Sequence, residues 1–284
     1  MGMKEMSVQT SFGFVQVYCS GNGPQQVVLL HGSGCDHAML TWGKMMPLFD
    51  ERYTVYAIDF LGYGKSDKPT DLQGEQFFET HIETVKQVVD HLNIQSFILA
   101  GLSMGGAIAI GFALKYQAYV KALLPVATWG ISKKLPMHLL SYYYIHYTDW
   151  TVSQFKWIAK SRRMAKWFIH YTLFGDKQKV TSRLIDEVIE TCQSPYAGLS
   201  MQQFQRSAST KTGAIPYFEH ELAKLPMPVI FVVGDKDPLV PYKAAITASK
   251  YAPYGSFYVM KGCKHWAIKE RPHEFVELIH NAML

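Results

Sequence analysis

Gly101-Leu102-Ser103-Met104-Gly105-Gly106 joins two apolar stretches of different character. Before it, Ser96-Phe97-Ile98-Leu99-Ala100 has the length of a strand; after it, Ala107-Ile108-Ala109-Ile110-Gly111-Phe112-Ala113-Leu114 reads as a buried helix. Ser103 therefore stands at a strand-to-helix turn, the setting that a G-x-S-x-G nucleophile turn requires. A turn this tight predicts a strained backbone at Ser103. The residues two before and two after it face the crossing of strand and helix, where only small side chains fit, and Gly101 and Gly105 supply them. The Ser103 hydroxyl is then held clear of the sheet at the positive end of a helix. The plainer reading is a glycine-rich turn with an incidental serine.

Upstream, Val8-Gln9-Thr10 and Phe14-Val15-Gln16-Val17-Tyr18 read as short strands. Val27-Val28-Leu29-Leu30 reads as a strand buried on both faces. It runs into His31-Gly32-Ser33-Gly34. A helix is expected from Ala38 to Phe49, and the strand Tyr53-Thr54-Val55-Tyr56-Ala57-Ile58 ends at Asp59. Gln76 to Leu92 has helical spacing through Phe77, Ile82, Val85, Val88, Val89 and Leu92. Downstream, Val120 to Leu124, Val229 to Val233 and Phe257 to Met260 are further strands, with helices from Tyr242 to Lys250 and from Pro272 to Ala282. Alternation of strand and helix predicts an α/β fold, a mostly parallel sheet flanked by helices on both faces. Ligands then bind at the carboxyl ends of the strands.

One stretch breaks the alternation. From Trp129 to Lys211 the pattern is helical, aromatic and basic, so the chain divides into a core of residues 1–128 and 212–284 and an inserted helical cap of residues 129–211. The cap holds 12 Lys and Arg against 5 Asp and Glu, a net +7, whereas the whole chain is +5. The excess positive charge therefore belongs to the cap. It reads as a solvated helical surface, or as a face for anionic substrates or lipid. Phe155 to Lys160 and Arg162 to Phe168 would suit an interfacial helix. The cluster Tyr142, Tyr143, Tyr144, Tyr147 and Trp150 equally suits a cap core.

Composition narrows the classes. With 284 residues, 48% of them hydrophobic, the chain can bury the core of one large domain with a subdomain. Met1-Gly2-Met3-Lys4-Glu5-Met6 precedes no long apolar stretch, so no signal peptide is expected, and no run reaches the ~20 residues of a membrane span. Cys19, Cys35, Cys192 and Cys263 lack paired or metal-like spacing, which suits reduced thiols in a cytoplasm. No metal or cofactor is expected. Gly64-Lys65-Ser66 resembles the tail of a phosphate-binding loop, but Asp59 stands where that motif needs glycine. No G-x-G-x-x-G follows a strand. His31, Cys35, Asp36 and His37 lack zinc spacing. The basic cap carries no recognisable nucleic-acid module, and the sequence leaves the oligomeric state open.

A serine hydroxyl needs a base to take its proton, and a base near neutrality points to histidine. Of 11 histidines, His265 in Gly262-Cys263-Lys264-His265-Trp266 follows the last strand, on the side where strand ends gather. Its imidazole needs a carboxylate partner, and Gly234-Asp235-Lys236-Asp237-Pro238 offers two.

The order serine, aspartate, histidine, with the loops His31 to Gly34, Asp59 to Ser66, Gly101 to Gly105, Gly234 to Asp237 and Gly262 to Trp266, resembles the α/β-hydrolase superfamily along nearly the whole chain. The resemblance implies Ser103 as nucleophile, His265 as base and Asp237 as its acid, leaving Asp235 as a turn residue. It implies an oxyanion hole from the backbone N–H groups of Ser33 and Met104, and a structural role for His31. It also implies a small-molecule substrate. A serine nucleophile leaves two branches. One is ester hydrolysis through an acyl-enzyme, the reading preferred here. The other is C–C hydrolysis of vinylogous diketones, as in the meta-cleavage-product hydrolases, which His265-Trp266 and Val180 to Arg183 resemble. That group carries asparagine before the nucleophile, where this chain has Leu102, and a cap arginine where it has Val188. Trp129, Arg183 and Trp266 are candidate substrate contacts. Members of this fold also serve as ligand sensors with slow or no turnover.

Overall fold

The computed structural model describes residues 2–133 and 137–282. Residue 1 of the leading stretch and residues 134–136 of the expected cap lie outside it. Eight strands form one sheet: β1 (Lys4–Thr10), β2 (Gly13–Gly21), β3 (Gln25–Leu30), β4 (Tyr53–Ile58), β5 (Phe97–Leu102), β6 (Val120–Val126), β7 (Val229–Gly234) and β8 (Gly255–Met260). Their spatial order is β1-β2-β4-β3-β5-β6-β7-β8. The β1–β2 hairpin and the β2–β4 pair are antiparallel, and every other pair is parallel.

The period-2 alternation of a strand divides β3 between two apolar layers. Val27 and Leu29 join Trp42, Phe275 and Ile279 in one; Val28 and Leu30 join Val85, Ile108 and Phe112 in the other. These partners lie on α1 (Ala38–Trp42), α2 (Gln76–His91), α3 (Met104–Lys115) and a C-terminal helix. With both faces covered, the central strands read as unbroken apolar runs. Truncating one buried leucine here, such as Leu99, would cost about 2–5 kcal/mol.

Between β6 and β7 lie α4 (His138–Tyr147), α5 (Trp150–Lys160), α6 (Arg162–Phe168), α7 (Ser182–Gln193) and α8 (Ala197–Ala208), with a wide helical turn at Ile169–Leu173. Phe155, Ile158 and Val188 of this insertion share the apolar layer of Val27 and Leu29. The chain then closes with α9 (Tyr242–Ser249), α10 (Ala267–Glu270) and α11 (Pro272–Asn281).

Two elements depart from expectation. The helix foreseen from Ala38 to Phe49 stops at Trp42; Gly43 caps it and Pro47 opens a separate short turn, Met46–Leu48. Proline has no N–H to continue the ladder. The first strand begins at Lys4 rather than Val8, pairing residue for residue with β2 from Lys4↔Cys19 to Thr10↔Gly13. Its charged start, Lys4-Glu5, suits an edge strand and hides it from a reading based on apolar residues.

Candidate active site

Ser103 ends β5 and precedes α3 with φ 54° and ψ −114°. This is the left-handed half of backbone space, costly for a residue with a Cβ. It is held from both sides: the Ser103 N–H donates to Val126 O at 2.8 Å, and its carbonyl accepts from Gly106, Ala107 and Trp129 N–H at 3.0, 3.2 and 3.1 Å. The close approach expected of the flanking glycines is present. A Cβ on Gly101 would fall 2.2 Å from Gly105 O, and one on Gly105 would fall 2.3 Å from His31 O. The start of α3 is thus pressed against the end of β3, which brings the loop 31–37 to Ser103. A Cβ on Gly32 would lie 3.5 Å from that of Ser103.

That loop is braced by buried polar groups. His31 Nε2 accepts the Phe60 N–H at 3.0 Å, which leaves the proton on Nδ1 to reach Gly32 O at 2.6 Å. Burial pushes the imidazole down to about 3, so His31 is neutral with both nitrogens engaged. Asp36 accepts the N–H groups of Gly32 and His37 at 2.9 and 2.8 Å and the Thr41 hydroxyl. Asp59, fully buried, takes Ala38 and Lys65 N–H, each at 2.8 Å, and ties the next loop to this one. The Ser33 hydroxyl meets Tyr63 Oη at 2.6 Å, and Tyr63 Oη also reaches Ser200 O of α8 at 3.1 Å. Among the described residues, nothing accepts a hydrogen bond from the N–H of Ser33 or of Met104. Both are free backbone donors, one on the loop after β3 and one on the first residue of α3, next to Ser103 in the chain.

His265 lies on the loop after β8. Its Nδ1 is 2.8 Å from Asp237 Oδ2, and both side chains are buried. Asp237 Oδ1 accepts the N–H of Leu239 at 2.7 Å and of Val240 at 3.0 Å. Asp235 does different work: its Oδ1 accepts Gly262 N–H at 2.6 Å and staples the β7 and β8 loops together. The structure therefore pairs His265 with Asp237, not with Asp235.

The insertion is sewn to this loop. Buried Glu270 accepts the N–H of Gly175 at 2.9 Å, of Asp176 at 3.0 Å and of Lys264 at 3.0 Å. Trp266 N–H donates to Leu173 O at 2.9 Å and Lys264 Nζ to His170 O at 2.6 Å. The Trp266 ring is buried, edge-on to Phe174, with Lys269 Nζ 5.0 Å from its centroid. Trp129 packs its ring on Phe204 and donates Nε1–H to Ile215 O at 3.0 Å. Arg183 stands apart from these residues. Its side chain is 79% exposed and binds Glu187 at 2.9 Å on the outer face of α7. It helps line a cavity of about 530 Å³ with Asp36, Lys44, Tyr63, Glu190 and Lys269, and neither Ser103 nor His265 is among the lining residues. Among the described residues, no group of three or more His, Cys, Asp or Glu is placed to hold a metal ion.

Tyr63, Asp36 and Glu270 escaped the sequence reading. Tyr63 lies inside the loop Asp59 to Ser66, to which the resemblance gives no role for that side chain. Asp36 was weighed only as a metal ligand. Two of the three N–H groups that Glu270 accepts lie 94 and 95 residues away, which no local pattern reports.

A family model for the alpha/beta hydrolase fold matches residues 26–272. The chain is 26% identical over 260 residues to 2-hydroxy-6-oxo-6-(2'-aminophenyl)hexa-2,4-dienoic acid hydrolase of Metapseudomonas resinovorans, covering 91% of this chain and 83% of that one. Among solved structures, it superposes on 2-hydroxy-6-oxo-6-phenylhexa-2,4-dienoate hydrolase from Rhodococcus sp. strain RHA1 with a TM-score of 0.81 at 20% identity, covering 99% of each chain. It superposes on a carboxylesterase from Bacillus subtilis with a TM-score of 0.75 at 22% identity, covering 100% of this chain and 92% of that one.

Proposed function

Because the chain belongs to the alpha/beta hydrolase fold family, we propose that it is a serine hydrolase that cleaves a small carboxylic ester through Ser103, His265 and Asp237. The observation that carries this reading is the pair of unengaged N–H groups, Ser33 on the loop after β3 and Met104 at the start of α3, beside a strained serine. Asp237 holds Nδ1 of His265, so that Nε2 is the basic nitrogen. His265 takes the Ser103 proton as the hydroxyl oxygen attacks the ester carbonyl. The carbonyl oxygen gains negative charge, and the Ser33 and Met104 N–H groups receive it. His265 then returns the proton to the departing alkoxide. Water, activated by the same imidazole, hydrolyses the acyl-enzyme and frees the carboxylic acid. Residues 129–211 act as a cap that supplies the other wall of the pocket, with Trp129 and Trp266 flanking the substrate and Arg183 outside it.

C–C hydrolysis is the second reading, favoured by the names of the relatives. Two positions of this chain weigh against it. Leu102, beside the nucleophile, is fully buried and apolar, and Val188, where that group carries an arginine, is buried in α7. Neither offers a polar group to a dienoate substrate.

The test is steady-state turnover on a panel of aryl esters extended to one dienone diketone acid, with fluorophosphonate labelling of Ser103. Ester turnover with little diketone cleavage supports the proposal. Diketone cleavage that dominates replaces it with the second reading. Labelling without turnover of any substrate makes the protein a ligand sensor.

A further inference from the structure

We propose that the outer face of α4, α5 and α6 docks the protein onto an anionic lipid surface. The sequence His138-Leu139-Leu140-Ser141-Tyr142-Tyr143-Tyr144-Ile145-His146-Tyr147 has no Asp, Glu, Lys or Arg, yet only Ile145 of α4 is buried. A helix this apolar would ordinarily be enclosed. Instead Leu140 is 61% exposed and Tyr147 69%, with Leu139 and Tyr143 on the same outward stripe. On α5, which packs against α4, Trp150 and Trp157 meet edge-to-face at 4.7 Å, and on α6, which packs against α5, Trp167 stacks on Tyr171 at 5.1 Å, all four exposed. An apolar area of this extent marks an interaction site rather than a solvated wall.

Charge identifies the occupant. From Trp150 to Tyr171 the chain carries Lys156, Lys160, Arg162, Arg163 and Lys166 and no Asp or Glu. Arg162 is spent on Asp186. The other four are exposed and, among the described residues, in no ion pair. In an isologous contact a second copy would bring the same cations against these, so the face repels its own image. A bilayer with anionic headgroups satisfies both features. Trp and Tyr rings place an apolar body and a polar edge at the headgroup level, and lysine and arginine reach to the phosphates along apolar stems. Among the described residues no helix is long and apolar enough to cross a membrane, so the contact is peripheral, with the helices lying in the interface.

The experiment is flotation of the full chain with vesicles of phosphatidylcholine alone or mixed with phosphatidylglycerol, read alongside the emission wavelength of the tryptophans. Binding at least about tenfold tighter to the mixed vesicles is expected, weakened by salt, with a blue shift from Trp150, Trp157 and Trp167. A Lys156→Glu, Lys160→Glu variant should lose the preference for the anionic lipid. A Leu140→Ser, Tyr147→Ser variant should lose flotation on both vesicles while keeping wild-type turnover of a water-soluble ester. If a substitution disturbs folding, the salt dependence and blue shift of the unaltered chain decide the matter. Absence of flotation and blue shift would overturn the proposal, as would binding unchanged in both folded variants. Sedimentation that reveals self-association abolished by the same serine substitutions would assign the face to a second copy instead.

Discussion

Asp237 and His265 are locked at 2.8 Å, and the carboxylate is itself fixed by the N–H groups of Leu239 and Val240. The imidazole is thus oriented by a side chain that cannot turn away without abandoning three hydrogen bonds. Asp237→Asn keeps the shape but favours the wrong tautomer, and a loss of about 10⁴-fold in kcat is expected. Asp235→Asn removes one loop staple and should lower the melting temperature with a far smaller loss of rate. Equal loss of rate in the two variants would refute the assignment.

At Ser103 the expected effects on rate and on stability run in opposite directions. Ser103→Ala should abolish fluorophosphonate labelling and cost several orders of magnitude in kcat, with little further loss on adding His265→Ala. Ser103→Gly should be equally inactive yet more stable than Ser103→Ala by about 1 kcal/mol, because glycine relieves the strain at φ 54°. Chemical denaturation of the two variants provides the comparison.

His81 predicts an acid-sensitive fold. It is fully buried between Phe60 and Phe77, neither ring nitrogen has a hydrogen-bond partner among the described residues, and burial holds it down to about 3, as it does His31. Unfolded, each imidazole takes a proton near 6.5. The unfolded chain therefore binds more protons between these values, so stability is full above about pH 6.5 and is lost as pH falls toward 3. Each histidine contributes a slope of about 1.4 kcal/mol per pH unit within that window. His81→Leu should remove one such increment, seen as a flatter dependence of unfolding free energy on pH.

Glu270 is expected to couple stability to rate. Glu270→Gln replaces one of the two acceptor oxygens by an NH₂ group, leaves a part-buried N–H of Gly175, Asp176 or Lys264 without its acceptor, and should cost about 1–3 kcal/mol. Because Lys264 adjoins His265, kcat should fall while KM holds. An unchanged kcat in a destabilised variant would confine Glu270 to a structural role.

Arg183→Ala should change kcat/KM little, and equally, on two matched esters of which one ends in a carboxylate. The side chain is exposed and paired only with Glu187, an arrangement of small worth. A selective loss of about 1.5–3 kcal/mol on the anionic ester would place the guanidinium at the substrate and revive C–C hydrolysis.

The sequence was most legible where backbone geometry constrains residue type. The glycines around Ser103 are required by contacts of 2.2 and 2.3 Å, and the central strands are apolar because both faces are covered. Glu270 and Tyr63 were illegible because the contacts that tie them to the insertion, Gly175 and Asp176 for one and Ser200 for the other, are distant in the chain. The ends of α1 and β1 were misread for local reasons: Pro47 ends a helical pattern that hydrophobic spacing would carry on, and Lys4-Glu5 masks an edge strand.

The stitching between the insertion and the base loop constrains how substrate can reach Ser103. His170, Leu173, Gly175 and Asp176 are bonded to the loop and helix that carry His265. A rigid swing of the whole roof would drag the base out of register with its acid. If the insertion is the proposed cap, that edge stays fixed to the base, as α8 is fixed to the loops of Gly62 and Pro69. Helix α4 hangs on the insertion itself: the His138 and His146 rings bond Thr210 O and Ser209 O at 2.9 and 3.0 Å, and Arg206 Nε–H donates to Ile145 O at 3.2 Å. A surface that grips α4 from outside would therefore pull on the insertion and spare the fastening that keeps the base beside its acid.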